Sequence, residues 1–202
     1  MSPIISARGG LSSRGYGQFN LTATPYVLAG NYDALSTVTV PSGGVSSITF
    51  AGIPTTGYTH LQIRALVRTN RTGTAGDSIV VRFNSDTGSN YSNHQLNSDG
   101  ATVSAYGASG STSWNYVERA ASNGMTSGIF GAVVIDILDY ANTNKYKTGR
   151  ELGGVDANGS GIINLASGGW RSTSAINAIS LAAGAGTGFI EYSQFALYGV
   201  KA

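Results

Sequence analysis

The chain has 202 residues, enough for one full hydrophobic core, and only 11 % of them are charged, against about 25 % in an average globular domain. Nine Arg, three Lys and a net charge of +2 make no dense basic face for nucleic acid, and the absence of cysteine excludes a disulfide framework, a thiolate metal site and a thiol nucleophile. No run of about 18 apolar residues is available to span a membrane.

Twenty-nine glycines and abundant Ser, Thr and Asn suit short strands with many turns better than helices. Residues 1–30 open with a Gly/Ser/Arg/Tyr segment, Ile5-Ser-Ala-Arg-Gly-Gly-Leu-Ser-Ser-Arg-Gly-Tyr-Gly17, which has no hydrophobic period. It reads as an extended N-terminal arm ahead of a β-domain over 31–202. No basic segment followed by an apolar run marks a secretory signal, so the expected product is made in a cytosol, with lysis as one route out of the cell.

From there, strand signals alternate with turns. Leu35–Val40 leads to the turn cluster Pro41-Ser-Gly-Gly44. In Val45–Phe50, Ile48 and Phe50 share one face. His60–Arg68 is the clearest strand: Leu61, Ile63, Ala65 and Val67 share one side, and His60, Gln62, Arg64, Leu66 and Arg68 the other. Ser78–Asn84 points Ile79, Val81 and Phe83 inward. Ser85–Asn123 is polar, with weak strand hints only near His94–Leu96 and Ser113–Val117.

Gly128–Tyr140 is the most apolar run, and its β-branched content favours a central strand. Tyr146–Gly153 and Gly161–Ala166 read as a hairpin turning at Asn158-Gly159. Ala175–Ala182 and Phe189–Val200 close the chain. Eight to ten strands without a helical stretch predict an all-β fold, a jelly-roll-like antiparallel β-sandwich in preference to an immunoglobulin-like one.

A search for chemistry is mostly negative: no catalytic residue, cofactor site or metal site is expected. His60 and His94 lack the partners of a hydrolytic triad and read as surface or packing residues. Asp136 and Asp139 are spaced to opposite faces of a strand, so they do not converge as a glycosidase pair. Asp136 reads as a buried structural acid and Asp139 as a turn opener. Asp156-x-Asn158-Gly159 lacks the glycine position and the glutamate of a calcium loop, and Ala182–Gly188 lacks the lysine of a phosphate loop.

The positive hint is aromatic. Trp114 and Tyr116 sit in Ser113-Trp-Asn-Tyr-Val117, and Trp170 and Arg171 in Gly168-Gly-Trp-Arg-Ser172. As exposed loop residues they would offer a glycan or a protein a contact surface. As buried ones they would seal the ends of the core.

Several strings give the body a family likeness: Val45-Ser-Ser-Ile-Thr-Phe-Ala-Gly-Ile-Pro54, Tyr58-Thr-His-Leu-Gln-Ile-Arg64, Val81-Arg-Phe-Asn84 and Gly88-Ser-Asn-Tyr-Ser92. Ile135-Asp-Ile-Leu-Asp-Tyr-Ala-Asn-Thr-Asn-Lys145, Gly168-Gly-Trp170 and Phe195-Ala-Leu-Tyr-Gly-Val200 continue it. Over roughly residues 32–200 the chain resembles tailed-bacteriophage virion surface proteins. The segments Ala7-Arg-Gly-Gly and Ser13-Arg-Gly-Tyr-Gly17 resemble the short leaders of phage structural proteins.

The resemblance implies a non-enzymatic virion component, a capsid decoration or head-fibre subunit. Its partners would be other virion proteins of capsid or tail and further copies of itself, a trimer being the expectation. In that setting Arg8, Arg14 and Tyr16 would make the directional contacts of the attachment arm. A tail-fibre or tail-tip adhesin that binds a host surface glycan is the alternative, and a glycan depolymerase a third reading.

Overall fold

Period-two alternation sorts most of the chain into strands with one dry face. In the computed structural model, which describes residues 31–73 and 76–201, these strands form two antiparallel sheets. The arm over residues 1–30, with Arg8, Arg14 and Tyr16, lies outside the described residues. The strands are β1 (Tyr32–Thr39), β2 (Ser47–Ala51), β3 (His60–Val67), β4 (Gly76–Phe83), β5 (Tyr91–Ser98) and β6 (Val103–Ser111). They continue as β7 (Trp114–Ala121), β8 (Gly131–Leu138), β9 (Lys147–Asp156), β10 (Gly161–Trp170), β11 (Ala178–Ala183) and β12 (Gln194–Val200).

The larger sheet runs β1-β12-β3-β8-β9-β10-β5-β6 and the smaller β2-β11-β4-β7. The first strand pairs with the last, the second with the last but one, β3 with β8 and β4 with β7. β12 also pairs with β3, and β11 with β4. This is a two-stranded ribbon rolled into a sandwich, the jelly roll. Two hairpins are inserted into it. β5–β6 follows β4, and β9–β10 follows β8, and together they extend the larger sheet by four strands.

The core lies between the sheets. Leu61, Ile63 and Val67 of β3 and Val133, Ile135 and Ile137 of β8 meet Ile79, Val81 and Phe83 of β4 and Ile179 and Leu181 of β11 in one buried cluster. Ile48 and Phe50 of β2 join it, as the alternation of that strand requires. The β9–β10 hairpin turns where Asn-Gly predicts. Asn158 (φ 59°) and Gly159 (φ 101°) both take the left-handed conformation, and Ala157 N–H donates to Ser160 O at 2.7 Å.

Two expectations change. The described residues hold twelve strands, and Ser85–Asn123 contains three of them, β5, β6 and β7. Arg68, assigned to the wet side of β3, lies just beyond its end and is 5 % exposed. Its guanidinium donates to the carbonyls of Met125 (2.8 Å), Thr126 (2.8 Å) and Ile129 (2.9 Å), and burial lowers its pKa. Lys147, at the start of β9, is buried in the same manner. Its ammonium donates to Asn142 O, Lys145 O and Thr173 O.

Candidate interaction face

The two indoles singled out in the sequence belong to the core. Trp114 opens β7 and is 1 % exposed; its ring lies over Gly149 of β9 and Gly168 of β10, with the Phe83 ring 5.7 Å away. Trp170 ends β10 at 3 % exposure, stacked on Tyr91 at 6.3 Å, and its Nε1–H donates to Asp86 Oδ2 at 2.7 Å. Neither offers a face to a sugar, and the expectation of exposed loop aromatics does not hold for them. The reason is packing: β7 crosses the inserted strands where they carry glycine and the Trp114 indole fills that space, while Trp170 packs on Phe83 and Tyr91.

Asp86 anchors this corner. It also accepts Gly88 N–H (2.7 Å) and the Asn90 amide (2.9 Å), and the Trp170 and Asn90 bonds hold its carboxyl below the usual range. Tyr116 pairs with Ile79 along the β7 backbone; its side chain lies outside the described set. Arg171 is exposed, with its guanidinium 5.9 Å from the centre of the exposed Tyr146 ring.

The remaining candidates are engaged separately. His60 Nδ1 accepts the Asp139 N–H at 3.0 Å, and Asp139 pairs with Lys145, which lowers its pKa. Asp136 is half-buried on the outer side of β8, not inside, and accepts from Gln62 Nε2 at 2.8 Å. His94 is exposed on β5, its ring against Gly107. Among the described residues no three His, Asp or Glu gather in a way that could hold a metal ion. A cleft of about 910 Å³ opens between loops near Gly44, Asn123 and Tyr192, but Arg68 on its wall is spent on the three carbonyls.

The unexplained feature is the outer face of the larger sheet. Arg64, Val134, Leu152, Leu165 and Leu96 stand directly opposite one another on consecutive strands β3, β8, β9, β10 and β5. Beside that row runs a second one, Leu66, Ala132, Gly154, Ile163, Ser98 and Val103. Leu152 is 53 % exposed, Leu165 56 % and Ile163 58 %. On the other flank lies a polar row, Gln62, Asp136, Arg150, Ser167 and His94.

On the inserted strands β9, β10 and β5 many inner positions between the aromatic and aliphatic ends are polar or small. Asn93, Gln95 and Asn97 of β5, Asn164 of β10 and Glu151 of β9 are all buried. Asn164 donates its amide to Asn97 Oδ1. The insertion is thus inverted, with amides inside and aliphatics outside.

No protein-family model, curated protein or solved structure matches the chain.

The smaller sheet makes the inversion plain. Its outer positions are mostly polar, Ser47 and Thr49 on β2, Ser180 on β11, Arg82 on β4 and Asn115 on β7, with Val80 and Ala182 among them. One molecule therefore carries one sheet face built for water and one that is not. An apolar band several strands wide, rimmed by polar residues, is what an interaction surface requires. β6 ends the band. It is a nine-residue edge strand with no charge and no proline, and none of its residues is buried. Sequence reading missed the band because leucines outside glycine- and amide-bearing strands resemble inward residues.

Proposed function

We propose that the chain is a non-enzymatic structural protein of a bacteriophage virion, displayed on the particle surface as a capsid decoration or head-fibre subunit and docked through its N-terminal segment. The observation that carries the assembly part is the apolar row Val134–Leu152–Leu165–Leu96 on an outer sheet face. Exposed aliphatics in such number lower solubility unless a partner covers them. The virion part is supported by the string resemblance over residues 32–200 and by a jelly roll, an architecture common in capsid proteins. Lectin domains share that architecture, so the fold by itself does not choose between them.

The alternative, a tail adhesin for host glycans, loses Trp114 and Trp170 as stacking platforms and keeps Arg171 beside Tyr146.

The test is incorporation. The full chain and a version lacking residues 2–25 are supplied during particle assembly, and purified particles are probed for each. The full chain is expected on particles and the truncation free in solution, folded. Absence of the full chain from particles overturns the virion reading, and equal incorporation of both overturns docking through the arm.

A further inference from the structure

We infer that the outer face of the larger sheet is closed by a second copy of this chain, laid face to face across the Val134–Leu152–Leu165–Leu96 row. This rests on reading the face as an assembly surface, and it names the occupant.

Shape is the first argument. A patch that pairs with itself must carry both projections and the hollows that receive them. This one does. One hollow of about 610 Å³ has Leu66, Val134, Leu152 and Ile163 as walls and Ala132 and Ala196 low between them. The other, about 660 Å³, is lined by Leu96, Leu165 and Ala105, with His94 and Arg150 on its polar side. Leucines that wall one hollow on one copy are the projections that fill a hollow on the other. Leu152 lines the first hollow and Leu165 the second, so neighbouring leucines of one row can serve both as wall and as projection.

Area is the second. Seven apolar side chains of the face, Leu66 to Leu165 with Val103 among them, are between 36 % and 68 % exposed. Together they present on the order of 600 Å² per copy, the larger part of the ~800 Å² per partner of a standard stable interface. Two β-sheets pack well at about 10 Å with aliphatic side chains interdigitated.

Charge is the third. Identical copies bring identical charges, so a self-pairing patch must be nearly neutral where it closes. The two apolar rows hold one charged residue, Arg64. Its guanidinium lies at their margin, 5.7 Å and 5.5 Å from the ring centres of Tyr32 and Tyr198, and donates to Gln62 Oε1. Asp136 and Arg150 stand opposite each other in the flanking row and offset one another.

The experiment is sedimentation of the full-length chain beside Leu152→Glu/Leu165→Glu and the control Thr49→Glu, which changes the wet face of the other sheet. The wild type and the control should form an even-numbered assembly, and the double variant should fall to half that mass with unchanged far-ultraviolet dichroism. Should the double variant fail to fold, single cysteines replace it. The chain has none of its own, so Leu152→Cys or Leu165→Cys should be joined into dimers by a short bismaleimide, and Thr49→Cys should not. A monomeric wild type, an odd-numbered assembly, a mass unmoved by the double variant, or equal cross-linking of the Thr49→Cys control overturns the pairing. Failure of the virion reading shows elsewhere, as absence of the wild-type chain from particles whatever its mass.

Discussion

Trp114 occupies the space that a side chain at Gly168 would need. A Cβ on Gly168 would stand 1.4 Å from the indole Nε1, and one on Gly149 would stand 2.0 Å from its Cη2. The smaller sheet reaches across the inserted strands through this ring, so the two glycines are conditions of the sandwich. Gly168→Ala is expected to destabilise by about 3 kcal/mol or more, the upper range for overpacking. Trp114→Ala opens a large hole and is expected to lose roughly 3–5 kcal/mol. Urea unfolding checks both. A loss below about 1 kcal/mol for Gly168→Ala would mean that the ring relaxes away from β10, and one that small for Trp114→Ala that the ring does not hold the sheets together.

Arg68 ties a loop to the end of β3. Arg68→Ala strands the carbonyls of Met125, Thr126 and Ile129 and should cost roughly 2–4 kcal/mol. Arg68→Lys offers a point charge where three directed donors are needed and should recover less than half of that. Hydrogen exchange gives a second reading. Amides of residues 122–129 should lose protection first, while the β3 and β8 amides hold.

The hairpin joining β9 and β10 depends on Asn158 and Gly159, both at positive φ. Gly159→Val places a β-branched residue where only glycine sits at ease and is expected to cost about 1–2 kcal/mol. Asn158→Gly should be nearly neutral. The readout is the thermal midpoint, which would fall by several degrees in the first case and by little in the second.

Such turns and the strands with a dry inner face could be read directly from residues. His60–Val67 alternates through Leu61, Ile63 and Val67, all fully buried, and Asn158-Gly159 names its own conformation. The misses have one cause. Hydrophobic-in, polar-out fails in the insertion, where β5 buries Asn93, Gln95 and Asn97 and exposes Leu96. Applied to β10 the same rule would turn Leu165 inward and Asn164 outward, a one-residue slip that reverses every side chain. β6 has no buried face at all, so it emits no pattern.

The sites divide in the same way. Trp114 and Trp170 were legible as aromatics in polar surroundings, but whether they face out depends on Gly149 and Gly168 lying beneath one and Asp86 meeting the other. Those are tertiary facts. The interaction face is legible only once the register sets Val134, Leu152, Leu165 and Leu96 side by side.

Tyr91 gives the fold an alkaline limit. Its ring is fully buried, its hydroxyl accepts Phe83 N–H at 3.1 Å and donates to Asp86 O at 3.2 Å, and burial pushes its pKa from 10.0 up to about 12. The folded state holds this proton more tightly than the unfolded one. Stability from the group is therefore complete below pH 10 and is lost between pH 10 and about 12, as the unfolded chain ionises first. The expected loss over that window is on the order of 2 kcal/mol. Lys147, lowered by burial, shifts stability in the opposite sense at high pH, so the comparison is between wild type and Tyr91→Phe. The variant should be about 1–2 kcal/mol less stable at pH 8, for the hydrogen bonds it gives up. Between pH 10 and 12 the gap should close. Parallel curves for the two proteins across that range would show that ionisation of Tyr91 does not limit the fold.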